Sequence, residues 1–243
     1  MTGTLVVALG AVGFAVGWLL DPVITRVPRR QPVIGGGASL AAEDDRPELG
    51  ERAVARPSLA RQVVVACMCA GLFGALAARF EDSWALPAYL VLAAALVTLS
   101  AIDLEHYILP NRIVYPLALA MVVLLGVASI GDDDLGAFTR GLLGGVVAFA
   151  VFFIVHMVSP RGMGFGDVKL SFVLGLSLGW LGWGEVLLGL FLGFLYGALV
   201  GIVLIVTRIR RRDQQLPFGP FLAAGALTAV LVGDTIITWY RGG

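Results

Sequence analysis

Eight apolar runs, about 17–25 residues long except for a shorter sixth and set apart by polar links, leave this chain few ways to fold. They lie near 4–24, 62–80, 84–102, 112–130, 137–158, 168–182, 185–207 and 216–239. In hydrocarbon every backbone N–H and C=O must be paired within the protein, and a helix does this within one segment. Charge agrees: only 14% of the residues are charged, against about 25% in a soluble domain. The expected fold is all-α, a polytopic membrane protein of about eight transmembrane helices forming a single transmembrane domain over 1–243. The sixth run is the shortest and begins at a glycine-rich loop. Glycines at 189, 193, 197 and 201, and again at 175 and 179, recur every fourth residue. That spacing suits close helix packing in lipid rather than chemistry.

The first run has no basic residues before it, and Arg26, Arg29 and Arg30 follow it. That order reads as a retained span with the amino terminus outside, not as a cleaved signal. The orientation puts 14 of the 17 basic residues inside and leaves Arg79, Arg140 and Arg241 outside. It also places Asp103 and Asp167 on one face, the cytoplasmic one. Seventeen acidic residues balance the basic ones, so no nucleic-acid partner is expected. The long polar stretch 31–60, with three successive glycines and prolines at 32, 47 and 57, reads as a mobile cytoplasmic loop. Cys67 and Cys69 point to different sides of a helix and no Cys-x-x-Cys pair exists, so neither a zinc ribbon nor a disulfide framework is expected.

Two ionisable residues sit where membrane helices begin or end. Asp167 follows Gly164-Phe165-Gly166, a pair of glycines that permits positive φ and close approach of another segment. By itself it reads equally well as a helix cap. Asp103 lies 64 residues upstream, in Ile102-Asp103-Leu104-Glu105-His106-Tyr107-Ile108-Leu109-Pro110-Asn111-Arg112. Glu105, His106, Tyr107 and Arg112 read as solvated interfacial side chains. Two carboxylates brought together can divide the roles of general base toward water and general acid toward a carbonyl. In a poorly solvated site they share one proton and titrate as a unit. With two histidines in the whole chain, no histidine-based metal site competes.

Three stretches carry a resemblance. Asp103 with Ile108-Leu109-Pro110-Asn111, Gly164-Phe165-Gly166-Asp167-Val168-Lys169-Leu170, and Leu216-Pro217-Phe218-Gly219-Pro220-Phe221-Leu222-Ala223 occur in that order. Over roughly 1–30 and 62–240 the chain resembles the prepilin peptidases, the type IV leader peptidase family of membrane aspartic proteases. The resemblance implies removal of a short basic leader from type IV prepilins or pseudopilins at the cytoplasmic face of the bacterial inner membrane. It implies Asp103 and Asp167 as the catalytic pair, with Gly164, Gly166, Lys169, Pro110 and Asn111 as supporting motif residues.

Many members of that family also methylate the new amino terminus with S-adenosylmethionine and carry a four-cysteine zinc site in the first cytoplasmic loop. Residues 31–60 contain no cysteine. The expectation is therefore a peptidase with no metal and no cofactor, leaving an unmethylated product. Near the amino terminus, Gly17-Trp18-Leu19-Leu20-Asp21 stands where the family has Gly-Ser-Phe-Leu-Asn. Two other readings start from the same aspartates. A presenilin-like intramembrane protease shares Gly-x-Gly-Asp but needs a Tyr-Asp pair and a Pro-Ala-Leu segment, which this chain lacks. An ion- or proton-coupled transporter needs carboxylates near the bilayer centre and internal repeats.

Overall fold

The computed structural model describes residues 2–26, 59–159, 163–207 and 217–242. These form helices α1 (Thr2–Arg26), α2 (Leu59–Arg79), α3 (Leu86–His106), α4 (Asn111–Gly131), α5 (Leu135–Val158), α6 (Phe165–Leu181), α7 (Trp183–Val206) and α8 (Gly219–Arg241). The protein is a polytopic, all-helical membrane protein. Seven of these helices are long and apolar enough to cross a bilayer. The exception is α6, with 17 residues. The expected loop at 31–60 falls outside the described residues, except that Leu59 and Ala60 open α2.

Burial is uneven, and it favours the two helices that carry the aspartates. Eleven of the 17 residues of α6 are buried, as are ten of the 21 in α3. The lipid faces of α1, α5 and α7 instead expose Val7, Leu19, Ile154, Leu187 and Val206. Around this centre the helices associate as close pairs, α1 with α2, α5 with α6 and α7 with α8. Glycine lies in all three of these contacts and is tightest in two. A methyl group on Gly175 of α6 would lie 2.4 Å from the Gly144 carbonyl oxygen and 2.5 Å from Ala148 Cβ of α5. On the other pair, a methyl on Gly225 would lie 2.3 Å from Gly193 N. The four-residue glycine spacing is thus a packing device, as its pattern indicates. Gly175→Ala is expected to destabilise the detergent-solubilised protein by about 1–3 kcal/mol through overpacking. Gly71→Ala, which meets open space, is the matched control in a thermal melt and should leave the midpoint unchanged or slightly raised.

The short α6 is held at both ends. At its C-terminus, Arg140 of α5 donates from Nε to Gly179 O at 2.9 Å and from Nη2 to Trp180 O at 2.7 Å. These carbonyls have no partner within the helix, so the guanidinium caps it from outside. Nearby, Tyr89 Oη donates to Ser177 O and Trp180 Nε1 donates to Ser129 Oγ, each at 2.7 Å. Arg79 pairs with Asp234 at this same end, linking α2 to α8. The opposite end of the bundle gathers the C-terminus of α3 and the N-termini of α4, α6 and α8, where the Arg61–Glu105 ion pair (2.6 Å) ties α2 to α3.

Candidate active site

Helix α3 does not end at residue 102. It continues through Asp103 to His106, because Asp103 is itself buried and Ile102 packs fully inside. The helix stops at Tyr107, which takes the left-handed conformation (φ 56°, ψ 34°) and donates its N–H to Asp103 O. Pro110 then caps α4 in an extended conformation, φ −69° and ψ 127°, which its ring favours. The chain therefore reverses within four residues, and Leu109 is carried across the face of α6.

Asp103 Oδ2 accepts a hydrogen bond of 3.1 Å from Gly219 N–H, the first residue of α8. This N–H is one of the donors that a helix start leaves without an internal partner, and the helix dipole there favours a carboxylate. Asp167 has the equivalent arrangement on α6. Its Oδ2 accepts from Gly164 N–H at 3.1 Å, while its own N–H donates to Gly164 O. The N-cap itself is Gly164; Asp167 is the third helical residue and its carboxylate reaches back to the N-cap N–H, a role compatible with chemistry. Capping occupies one oxygen only. Oδ1 of Asp167 is buried and has no hydrogen-bond partner among the described residues.

Asp103 and Asp167 line one cavity of about 300 Å³, near enough for their charges to interact. Gly164, Gly166, Asn111 and Lys169 share its wall, with Tyr107, Ile108, Leu109 and Phe165. Lys169 Nζ donates to Asn111 Oδ1 at 2.9 Å and lies over the rings of Tyr115 (5.1 Å) and Phe165 (4.9 Å). The sequence motifs before α4 and at the start of α6 are thus one structure, joined by a lysine that touches both.

Of the glycine pair, Gly166 serves close approach, and neither takes a left-handed φ. Gly164 sits at φ −71°, and Gly242 is the one glycine in the left-handed region among the described residues. A methyl on Gly166 would lie 2.8 Å from Leu109 Cβ, whereas one on Gly164 would meet nothing closer than 3.4 Å. Gly219 is equally constrained: its methyl would lie 2.8 Å from Asp103 Oδ2 and 3.4 Å from Leu109 Cδ2. Leu109 therefore fills the space between the starts of α6 and α8, each of which holds one aspartate.

Glu105 and Tyr107 are exposed, as solvated side chains are, but Glu105 also pairs with Arg61 and Tyr107 lines the cavity. His106 is partly buried, with Nδ1 4.0 Å from Glu105 Oε2, and takes no part in the cavity wall. Gly219 and Leu109 are the supporting residues that the motifs contain but spacing alone does not single out. His156 is another. Its Nδ1 donates to Met163 O at 2.8 Å, and its ring lies against Phe165. Nothing in the sequence around His156 marks it, since its partner depends on how the segment before α6 returns.

Fold and cavity together define a helical membrane protein with a two-carboxylate site at one end of its bundle. Residues 90–205 match the type IV leader peptidase family. The chain is 36% identical over 188 residues to a prepilin leader peptidase/N-methyltransferase of Aeromonas hydrophila, covering 76% of this chain and 62% of that protein. It is 34% identical to the protein so named from Pseudomonas aeruginosa, covering 74% and 61%. It is 32% identical to that of Bacillus subtilis, covering 74% and 68%. The chain belongs to the type IV leader peptidase family. It spans about three fifths of the length of the first two of these relatives. No solved structure matches it.

Proposed function

We propose that the protein is a membrane aspartic endopeptidase that removes the short basic leader from type IV prepilins or pseudopilins. The observation that carries this reading is the shared cavity, in which each carboxylate is held by a backbone N–H at a helix start. One carboxyl is ionised and the other protonated, since two charges in so confined a site are costly. The ionised oxygen takes a proton from water as the water oxygen bonds the scissile carbonyl carbon, and the protonated partner gives its proton to the carbonyl oxygen. The tetrahedral intermediate then loses its C–N bond. The leaving amine takes up the proton held by the first carboxyl, and the intermediate's hydroxyl returns a proton to the second.

Gly164, Gly166, Pro110 and Asn111 position the pair in this reading, and Lys169 places a fixed positive charge on the cavity wall. The reading includes no metal and no cofactor, and an unmethylated product, because residues 31–60 offer no cysteine. Co-expression with a candidate prepilin tests it: the leader should be removed, and mass spectrometry of the mature amino terminus should find it unmethylated. An uncut prepilin alongside correctly inserted enzyme would overturn the assignment.

The orientation belongs to the same proposal. The cavity end faces the cytoplasm of a bacterial inner membrane, and the Arg140 end faces outward. In a Cys67→Ser, Cys69→Ser background, Ile108→Cys should react with an impermeant thiol reagent only after the membrane is opened. Leu135→Cys should react in intact cells. Both positions are exposed, so reversed labelling would reverse the topology.

A further inference from the structure

Helix α5 reaches the two-aspartate site without lining it. No α5 residue among those described stands in the cavity wall, yet His156 in its last turn meets the segment that leads into Asp167. His156 Nδ1 lies 2.8 Å from Met163 O. A carbonyl oxygen only accepts, so Nδ1 carries the proton of this bond. Met163 O belongs to the same peptide group as Gly164 N, and Gly164 N–H donates to Asp167 Oδ2 at 3.1 Å. That group is a rigid plane, so a bond that fixes its oxygen also fixes the direction of its N–H. Accepting at the oxygen also polarises the amide and makes its N–H a stronger donor. The contact is braced on both sides. The Met163 side chain is buried, and the His156 ring lies 5.6 Å from that of Phe165, which itself holds Lys169 Nζ at 4.9 Å.

Resting on the peptidase reading above, we propose that His156 is a positioning residue for peptide-bond cleavage, holding the Asp167 carboxylate in place through the 163–164 peptide plane. Pinning Oδ2 fixes where Oδ1 stands, and Oδ1 is the Asp167 oxygen left without a partner. It is therefore the oxygen available for proton transfer. Freed of His156, the plane can rotate about its flanking bonds, and Asp167 gains orientations that do not react. The cavity wall is untouched by that change. The loss then falls on the chemical step rather than on substrate binding, and it is read in kcat.

Two variants separate the hydrogen bond from the packing. His156→Phe keeps a ring against Phe165 and has no donor. His156→Asn gives up the ring but carries an N–H as many bonds from Cα as Nδ1 is. Cleavage of a full-length prepilin is measured in membranes at equal amounts of folded enzyme. For His156→Phe, kcat should fall about tenfold with KM within about twofold, and His156→Asn should recover most of that loss. Backbone amide exchange over residues 163–167 needs no substrate. It should quicken in His156→Phe and return towards the wild-type rate in His156→Asn. Unchanged kcat or unchanged exchange in His156→Phe would overturn the proposal. So would the reverse order, with His156→Phe active and His156→Asn impaired, because it would reduce the histidine to packing. If the wild-type enzyme leaves the prepilin uncut while exchange follows the expected order, the peptidase reading falls, and His156 keeps only its hold on the 163–164 plane.

Discussion

Asp103→Asn and Asp167→Asn should each lower the rate of leader removal by about 10³-fold or more while membrane insertion and yield stay unchanged. That loss corresponds to roughly 4 kcal/mol of activation free energy. An amide can still accept from Gly219 N–H or Gly164 N–H, so the local fold is kept, but it cannot carry the proton that the reaction passes between the two groups. The double variant should be no slower than the worse single one, because the pair works as a unit. For the same reason the wild-type rate should be bell-shaped in pH, its two limbs belonging to the pair. A single variant retaining more than about a tenth of the activity would remove that residue from the chemistry.

Gly219→Ala is the second large expected effect, and it reaches the chemistry through the backbone. The added methyl lies 2.8 Å from Asp103 Oδ2. Either the carboxylate swings away or the start of α8 retreats, and both break the 3.1 Å hydrogen bond. A displacement of about 1 Å at a reacting group costs on the order of 10²-fold in rate. Gly166→Ala should behave similarly, by pushing on Leu109. Gly164→Ala, whose methyl meets nothing closer than 3.4 Å, should stay within a few-fold of the wild type. Rates are compared at equal amounts of folded protein, judged by gel filtration and thermal melt. Equal activity of Gly219→Ala and Gly164→Ala would show that the α8 N–H does not position Asp103.

Much of this arrangement is legible in the chain before it folds. Length and hydropathy give the helices, and burial in lipid makes Asp103 and Asp167 conspicuous. The boundary at residue 102 is misplaced because a carboxylate there reads as the end of a span. Packing inside the bundle lets the helix run on to His106. Gly219 is visible as part of a motif, but its purpose depends on α8 returning beside α3 across 116 residues. Periodicity does not report such long-range contacts. The same holds for Arg140, which reads as a topological marker and proves to be the cap of a helix 39 residues away.

The shortness of α6 has a consequence for the lipid. Seventeen residues rise about 25 Å, and the hydrocarbon of an ordinary bilayer is about 30 Å thick. With Arg140 holding one end, a helix of this length falls about 5 Å short of spanning an ordinary hydrocarbon layer, and Asp167 lies at its other end. Either the bilayer thins over this end of the bundle or water dips several ångströms below the surrounding headgroups to reach the carboxylates. Thickness thereby becomes a variable of the reaction: lengthening the acyl chains deepens the well that water must enter.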